Sequence, residues 1–272
     1  RPFPLRPAPF TQMRLFSKRL AKSVSPEMTV EVTESRGVRQ LQLGTQAIQS
    51  AMRISRPWDL ELAYTRAMMA FLLFRAGPEE VLMIGLGGGS LAKFIRKYRP
   101  QTRITAVEIS PQVVAAARGH FFLPEDDAHL RVLIEDGAAY VPAHPASADV
   151  ILLDGFDAGN QVESLAAPDF YQACRRALKP GGVLVVNLWG RDPGFATWFS
   201  RLSAAFDGEV AWLPVMGKSN VIVFALAEGD GRARLARAEI DRLAKKWGLD
   251  FATFGRELRW ADEAAPLLDK KR

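Results

Sequence analysis

Four glycines, Gly85, Gly87, Gly88 and Gly89, lie between an apolar run and a helix-like segment in the stretch VLMIGLGGGSLAKFI. Glycine lets the backbone approach a ligand closely, and the first turn of a helix presents N–H groups without partners in the helix. The turn is therefore a candidate cofactor-binding loop. Taken alone, the pattern also fits a dinucleotide site or a tight turn without a ligand.

Acidic residues follow the next two apolar runs, where parallel strands would end. Glu108 ends RITAVE, about twenty residues after the glycines, where a carboxylate can accept both hydroxyl hydrogens of a ribose. Asp136, followed by Gly137, comes after RVLI, where an acid can accept a proton from the amino group of adenine. A solvated carboxylate at a strand end is the alternative for Glu108. Together with the glycine turn, these strand ends predict one crevice for an adenosine-type cofactor.

Two further acids, Asp154 and Asp157, stand just past the apolar run DVILLD in DGFD. They are predicted at the same crevice, since the carboxyl ends of parallel strands share one edge of a sheet. Paired carboxylates there can hold a cationic amine and accept its proton as the amine becomes a nucleophile. The alternative is that one of them caps a turn.

The elements that position these residues alternate in type from Val81 onward. The apolar runs VLMIG, RITAVEI, RVLI, DVILLD and GVLVVNLW are predicted strands, and helices are expected near 90–98, 111–119 and 168–178. Such alternation predicts crossover connections and a parallel sheet. NVIVFAL, from Asn220, is predicted to form an antiparallel hairpin at the sheet edge, and residues 231–247 a charged outer helix.

The chain divides into three predicted parts. Residues 1–27 form a basic, proline-rich and flexible arm, and residues 28–56 form a small antiparallel β module, since apolar and polar residues alternate around Gly37. Residues 57–272 form a nucleoside-binding domain that begins with a helical stretch over 58–74. The predicted fold class is α/β, with a Rossmann-like, doubly wound, mostly parallel sheet of seven strands behind the β module.

Composition excludes several classes of function. The net charge of +6 is spread along the chain without a basic stripe, which argues against nucleic acid as a partner. No run reaches the roughly 18 to 20 apolar residues of a membrane span, so we expect a cytoplasmic protein that does not enter membranes. The single Cys174 excludes an internal disulfide, and the three histidines lack a ligand-like spacing, so we expect no metal.

The order of these motifs resembles the spermidine synthase family of polyamine aminopropyltransferases, over about residues 29–226. A β module precedes a helix with Tyr64, the glycine loop leads to VEIS, DGFD resembles the family's DxxD, and ESLAAPDFYQACRRALKPGGVL resembles its ESLxxxxFYxxxxxxLxxxGxL. The resemblance implies a methyltransferase-type sheet rather than a nicotinamide dinucleotide fold. Asp136 and the KPGG turn favour the same choice.

The family resemblance also implies a reaction and residue roles. An aminopropyl group would pass from decarboxylated S-adenosylmethionine to a small amine such as putrescine, with methylthioadenosine as the other product, in a homodimer. By position, Asp154 would help to deprotonate the amine, Asp157 would bind it, and Tyr64 would orient it. Gln49 resembles a glutamine that the family places near the nucleoside. Core packing of Tyr64 and exposure of Gln49 are the alternatives.

Two positions depart from the family pattern. The family's GGGDG loop carries an acid that contacts the donor's ammonium, whereas Gly88 stands there in this chain, and Arg66 follows Tyr64 where an uncharged or acidic residue is usual. Arg66 would repel a diamine or bind a carboxylate. Two other hypotheses therefore stay open: transfer of a methyl or another group from intact S-adenosylmethionine, and a non-catalytic binder of a nucleoside or polyamine.

Overall fold

The computed structural model describes residues 17–25, 28–45, 47–157, 160–228 and 236–261, with the backbone alone at 156, 157, 160 and 161. Its first part is an antiparallel sheet in the order β1-β2-β3-β4. The strands are β1 (Lys18–Val24), β2 (Thr29–Ser35), β3 (Val38–Leu43) and β4 (Ile48–Arg53). The predicted antiparallel β module is therefore present.

Strand β1 falls in the segment predicted as a flexible arm. Its sequence KRLAKSV has little apolar content and is mostly exposed, as is common for charged edge strands, so its pattern did not indicate a strand. Of the predicted arm, residues 1–16 and 26–27 lie outside the described residues. The buried Val32, Leu41 and Met52 of this sheet pack against the helix Pro111–Phe121.

The second sheet is central and has the order β14-β12-β13-β11-β8-β5-β6-β7. Its strands are β5 (Glu80–Ile84), β6 (Arg103–Glu108), β7 (Leu130–Ile134), β8 (Ala148–Leu153), β11 (Leu178–Trp189), β12 (Val210–Pro214), β13 (Asn220–Leu226) and β14 (Arg259–Trp260). A short hairpin, β9 (Phe156–Asp157) with β10 (Asn160–Gln161), follows β8. Five neighbouring strands of this sheet are parallel: β11, β8, β5, β6 and β7.

Helices cover both faces of this sheet. They are α1 (Ala63–Met68), α2 (Ser90–Tyr98), α3 (Pro111–Phe121), α4 (Gly137–Ala143), α5 (Pro168–Ala177), α6 (Phe195–Ala205), α7 (Arg237–Trp247) and α8 (Phe251–Glu257), with 3₁₀ turns at Met69–Leu73 and Glu163–Ala166. One buried cluster packs α1, α2, α7 and α8 on the sheet, and another packs α4, α5 and α6 on its opposite face. The predicted doubly wound α/β fold is confirmed.

The predicted antiparallel hairpin is present, and one detail of the sheet differs from the prediction. The run NVIVFAL is the inner strand of this hairpin, because β13 pairs with both β11 and β12. Its nearly continuous burial fits that inner position. Seven longer strands are present as predicted, but the two residues of β14 extend the sheet beyond β12. So short a strand carries no detectable alternation of apolar and polar residues.

Candidate active site

The glycine turn joins β5 to α2 and lies against the end of β8. Gly85 has φ +91°, and a Cβ there would collide with the backbone oxygen of Asp154. Only glycine therefore lets the two strand ends approach so closely. Gly87 and Gly89 also have positive φ. Gly85 and Gly87 lie on the wall of a cavity of about 510 Å³, within the size range of small-molecule sites.

Glu108, at the end of β6, reaches the same cavity and is nearly buried. Its Oε2 accepts a hydrogen bond of 2.9 Å from the Leu86 amide in the glycine turn, and its Oε1 accepts one of 3.0 Å from the Ser110 amide. Burial raises the pKa of Glu108, while these amides oppose the rise. The carboxylate therefore fixes the glycine turn to β6 and still faces the predicted nucleoside position.

Asp136 and Gly137 stand at the next strand end along the sheet. The Asp136 side chain is exposed and accepts a 2.8 Å hydrogen bond from the Ala138 amide. Asp136 thereby caps the start of α4. A Cβ on Gly137 would lie 2.5 Å from Ile84 Cγ2, so α4 begins directly against β5. Both residues line the cavity. Ile109 lines the cavity too and is 63% exposed. This apolar surface was not among the predicted site residues.

Asp154 follows β8 and holds the centre of a hydrogen-bond network. Its Oδ1 accepts a bond of 2.9 Å from the Asn187 side-chain amide, and its Oδ2 accepts one of 3.0 Å from the Tyr64 hydroxyl. Burial raises the pKa of Asp154, and the two donors pull it back because they stabilise the ionised carboxylate. Asn187 was not among the predicted site residues, although a lone amide within VLVVNLW is an unusual polar residue in a buried strand.

Tyr64 and Gln49 bring α1 and the small sheet to Asp154. The Tyr64 hydroxyl lies 2.9 Å from the Gln49 carbonyl oxygen as well as within hydrogen-bond distance of Asp154. Burial and the neighbouring Asp154 raise the pKa of Tyr64 well above 10.0. Gln49 Nε2 is buried and has no hydrogen-bond partner among the described residues, and Gln49 lines the cavity. A buried amide in this position calls for an acceptor on a bound molecule.

Asp157 lies on the β9–β10 hairpin just past Asp154, paired with Asn160. Its side chain is outside the described residues, so the predicted amine-binding role stays a prediction. Within the described part of the chain, no three His, Cys, Asp or Glu residues form a group that could hold a metal ion. None of the described helices is long and apolar enough to cross a membrane.

The structure corrects the hypothesis for Arg66 and explains Gly88. The Arg66 guanidinium donates hydrogen bonds to the Leu60 and Glu61 carbonyl oxygens and lines a separate groove beside α8. Both carbonyls precede the start of α1, so the guanidinium folds back onto the N-terminal end of its own helix and is not on the cavity wall. At Gly88, a Cβ would lie 2.8 Å from both Phe121 Cδ1 and Ser50 Oγ. A side chain there therefore requires Phe121 of α3 or Ser50 of β4 to move.

Comparisons with known proteins show the family to which the chain is similar. Residues 61–188 match the spermine/spermidine synthase domain family. A polyamine aminopropyltransferase of Chromobacterium violaceum is 40% identical over 253 residues, which are 92% of this chain and 97% of that protein. Spermidine synthase from Thermotoga maritima shares the fold, with TM-score 0.72 and 20% identity over 92% of this chain and 87% of its own.

A solved structure with another activity in its name is also similar. Human methyltransferase-like protein 13 in complex with SAH has TM-score 0.58 and 28% identity, over 74% of this chain and 96% of its own. The match to the Chromobacterium protein, however, runs over nearly the whole of both chains. This chain therefore belongs to the spermine/spermidine synthase family of polyamine aminopropyltransferases.

Proposed function

We propose that this protein transfers the aminopropyl group of decarboxylated S-adenosylmethionine to a small diamine such as putrescine and releases methylthioadenosine. The observation that carries the proposal is Asp154, a carboxylate with a raised pKa at the wall of an adenosine-sized cavity. A carboxylate set in a low-dielectric wall attracts a cationic amine more strongly than one in water. A raised pKa also makes it a better proton acceptor.

The reaction requires the protein to position the amine next to the donor and to remove one proton from it. An ammonium of the diamine gives a proton to Asp154 and becomes a neutral amine. The amine nitrogen then forms a bond to the aminopropyl carbon next to the sulfonium, the bond between that carbon and sulfur breaks, and its electrons stay on sulfur. The products are methylthioadenosine and the lengthened amine, whose new secondary nitrogen carries the positive charge. The donor supplies a good leaving group, so holding the nitrogen in line is the main remaining demand. Tyr64, which fixes Asp154, and Asp157 are proposed for that task.

The nucleoside part of the donor is assigned to the residues of the glycine turn and the neighbouring strand ends. Gly85 and Gly87 leave backbone surface open, the buried Gln49 Nε2 needs an acceptor, and Glu108 and Asp136 face the cavity. Gly88 and Gly89 serve the packing of the loop instead. These residues fit an adenosine, and the fit does not depend on which group the sulfur carries.

Gly88 favours a second candidate, methyl transfer from intact S-adenosylmethionine. The loop lacks the acid that would select an ammonium over an amino acid group, and the fold likeness to methyltransferase-like protein 13 points the same way. Arg66, which was to bind the amino acid carboxylate, is turned away from the cavity. Its absence from the site weakens this candidate.

Calorimetric binding of decarboxylated S-adenosylmethionine, intact S-adenosylmethionine and methylthioadenosine, side by side, separates the candidates. Aminopropyl transfer predicts tighter binding of the decarboxylated donor and release of methylthioadenosine when putrescine is added. Tighter binding of the intact donor would favour methyl transfer. Binding of methylthioadenosine without turnover of either donor would leave the non-catalytic binder.

A homodimer and a cytoplasmic location are part of this proposal. Val24 and Ile48, on the two edge strands of the small sheet, are 68% and 41% exposed, and the proposal places the contact with a second copy on this sheet. Sedimentation velocity of the purified protein tests the dimer: a monomer at micromolar concentration would contradict it.

A further inference from the structure

Asp154 belongs to a chain of three polar side chains that ends on the antiparallel strand β13. Asn187 Nδ2 donates to Asp154 Oδ1 at 2.9 Å, and Asn187 Oδ1 accepts a hydrogen bond of 2.9 Å from Asn220 Nδ2. Asn187 is 3% exposed, and Asn220 is half-buried at the start of β13. A buried amide with both ends satisfied has one preferred orientation.

Strand alternation places all three residues on one face of the sheet. Val150 and Leu152 pack in the same cluster as Val183 and Val185, so Asp154 and Asn187 continue these rows toward the carboxyl edge. In the antiparallel pairing Asn187 lies opposite Ile222, which makes Asn220 its diagonal neighbour on that face. The hydrogen bonds that link Asp154, Asn187 and Asn220 are therefore a consequence of strand register.

We propose that Asn187 and Asn220 are positioning residues that keep the proton-accepting oxygens of Asp154 ionised and correctly turned, an inference that rests on the proposed role of Asp154. Asn187 can present either its NH₂ or its oxygen to Asp154. The NH₂ stabilises a carboxylate, whereas the oxygen can be satisfied only by a protonated carboxyl group. With the Asn220 NH₂ facing Asn187 Oδ1, a flip of Asn187 alone would set two NH₂ groups against each other, so Asn220 favours the orientation that donates to Asp154.

Among the residues whose side chains are described, Tyr64 of α1 is the titratable group in contact with Asp154, and it stays neutral because its pKa is raised well above 10.0. Among the described residues of the cavity wall, Glu108 and Asp136 are the other carboxyl groups. A further negative charge would favour the protonated form of Asp154. The side-chain amides of Asn187 and Asn220, here called the amide relay, oppose that form together with Tyr64.

The relay makes an ordered prediction for substitutions at Asn220. Asn220→Ala removes the donor and frees Asn187 to flip, which raises the titration midpoint of Asp154 by up to about one pH unit. Asn220→Asp keeps the shape but presents oxygens to Asn187, so it reverses the amide and raises the midpoint further. Ser219→Asp is the matched control, because it adds the same charge one residue away, outside the relay.

Two readouts test the proposal. The carboxyl signal of Asp154 is titrated by NMR in protein labelled at the aspartate carboxyl carbons, and is assigned by its loss in Asp154→Asn. The expected midpoints increase in the order wild type, Asn220→Ala, Asn220→Asp, with Ser219→Asp close to wild type. Equal midpoints in wild type and both Asn220 variants, with circular dichroism unchanged, would overturn the relay.

The second readout is the pH profile of kcat/KM for methylthioadenosine release. Its acid limb should move upward with the NMR midpoint, and the rate at high pH should recover, which a merely structural defect would not produce. If the wild type releases no methylthioadenosine, the proposed function fails, while the NMR titration still decides the relay. A variant that titrates normally but has a shifted acid limb would contradict the relay.

Discussion

Replacing Tyr64 by phenylalanine removes one of the two donors that hold Asp154 ionised. The ring remains, and with it the packing of Tyr64 against the core. A hydrogen bond to a charged group contributes about 1.5–3 kcal/mol, which corresponds to about one to two pH units in the pKa of the acceptor. The single hydroxyl proton is shared between Asp154 at 3.0 Å and the Gln49 carbonyl at 2.9 Å. We therefore expect the lower end, a rise of about one pH unit.

The direction of the activity change follows from the role of Asp154 as a proton acceptor. A higher pKa leaves less ionised carboxylate at a given acidic pH. At pH values below the wild-type midpoint, kcat/KM of Tyr64→Phe should therefore be about tenfold lower than that of the wild type. As the pH rises above the new pKa, the rate returns toward the wild-type value. The assay is methylthioadenosine release from decarboxylated S-adenosylmethionine and putrescine across the pH range.

Tyr171 offers a matched control for the same chemical change. Its hydroxyl is buried on α5 and has no hydrogen-bond partner among the described residues. Tyr171→Phe should leave the pH profile unchanged. A uniform loss of rate in Tyr64→Phe at every pH, or an acid limb at the wild-type position, would refute the link between the Tyr64 hydroxyl and the ionisation of Asp154.

Three further predictions test the surroundings of the site. Gly88→Ala should lower the free energy of unfolding in urea by about 1–3 kcal/mol, because its Cβ would overlap Phe121 and Ser50; unchanged stability would contradict the packing of the loop. Burial lowers the pKa of Lys93 from 10.5 to about 8. Between pH 8 and pH 10.5 the unfolded chain therefore binds more protons than the folded protein. The free energy of unfolding of the wild type should rise by up to about 3 kcal/mol as the pH increases through this range. Lys93→Met should remove that rise in thermal or urea unfolding, and a persisting rise would assign it to other groups. Arg66→Met should leave the KM for either donor unchanged, since Arg66 lies in another groove, and a large change in KM would return it to the site.

Much of the site could be predicted because it depends on strand order alone. Glu108 and Asp154 each stand at the carboxyl end of a strand, and parallel strands bring these ends to one edge. The glycine turn was readable for the same reason, since it follows β5 directly. The pairing of β5 with both β6 and β8 then places all three around one cavity.

The rest depended on contacts between distant parts of the chain. Gly88 looked like a missing acid, but its environment is set by Phe121 on α3 and Ser50 on β4. The direction of Arg66 depends on carbonyl groups at the start of its own helix. Asn187 carried a detectable signal, one amide in an apolar run, whereas its partner Asn220 becomes visible only once the register of β13 is known.

The measurement that tests the central claim most directly is methylthioadenosine release by wild type and Asp154→Asn, with donor binding measured in parallel. The asparagine can keep both hydrogen bonds, its oxygen accepting from Asn187 and its NH₂ donating to the Tyr64 hydroxyl, so the cavity should be preserved. We expect rapid release by the wild type, a loss of at least about a hundredfold in kcat for Asp154→Asn, and nearly unchanged affinity for methylthioadenosine. Turnover of Asp154→Asn at the wild-type rate would show that another group accepts the proton.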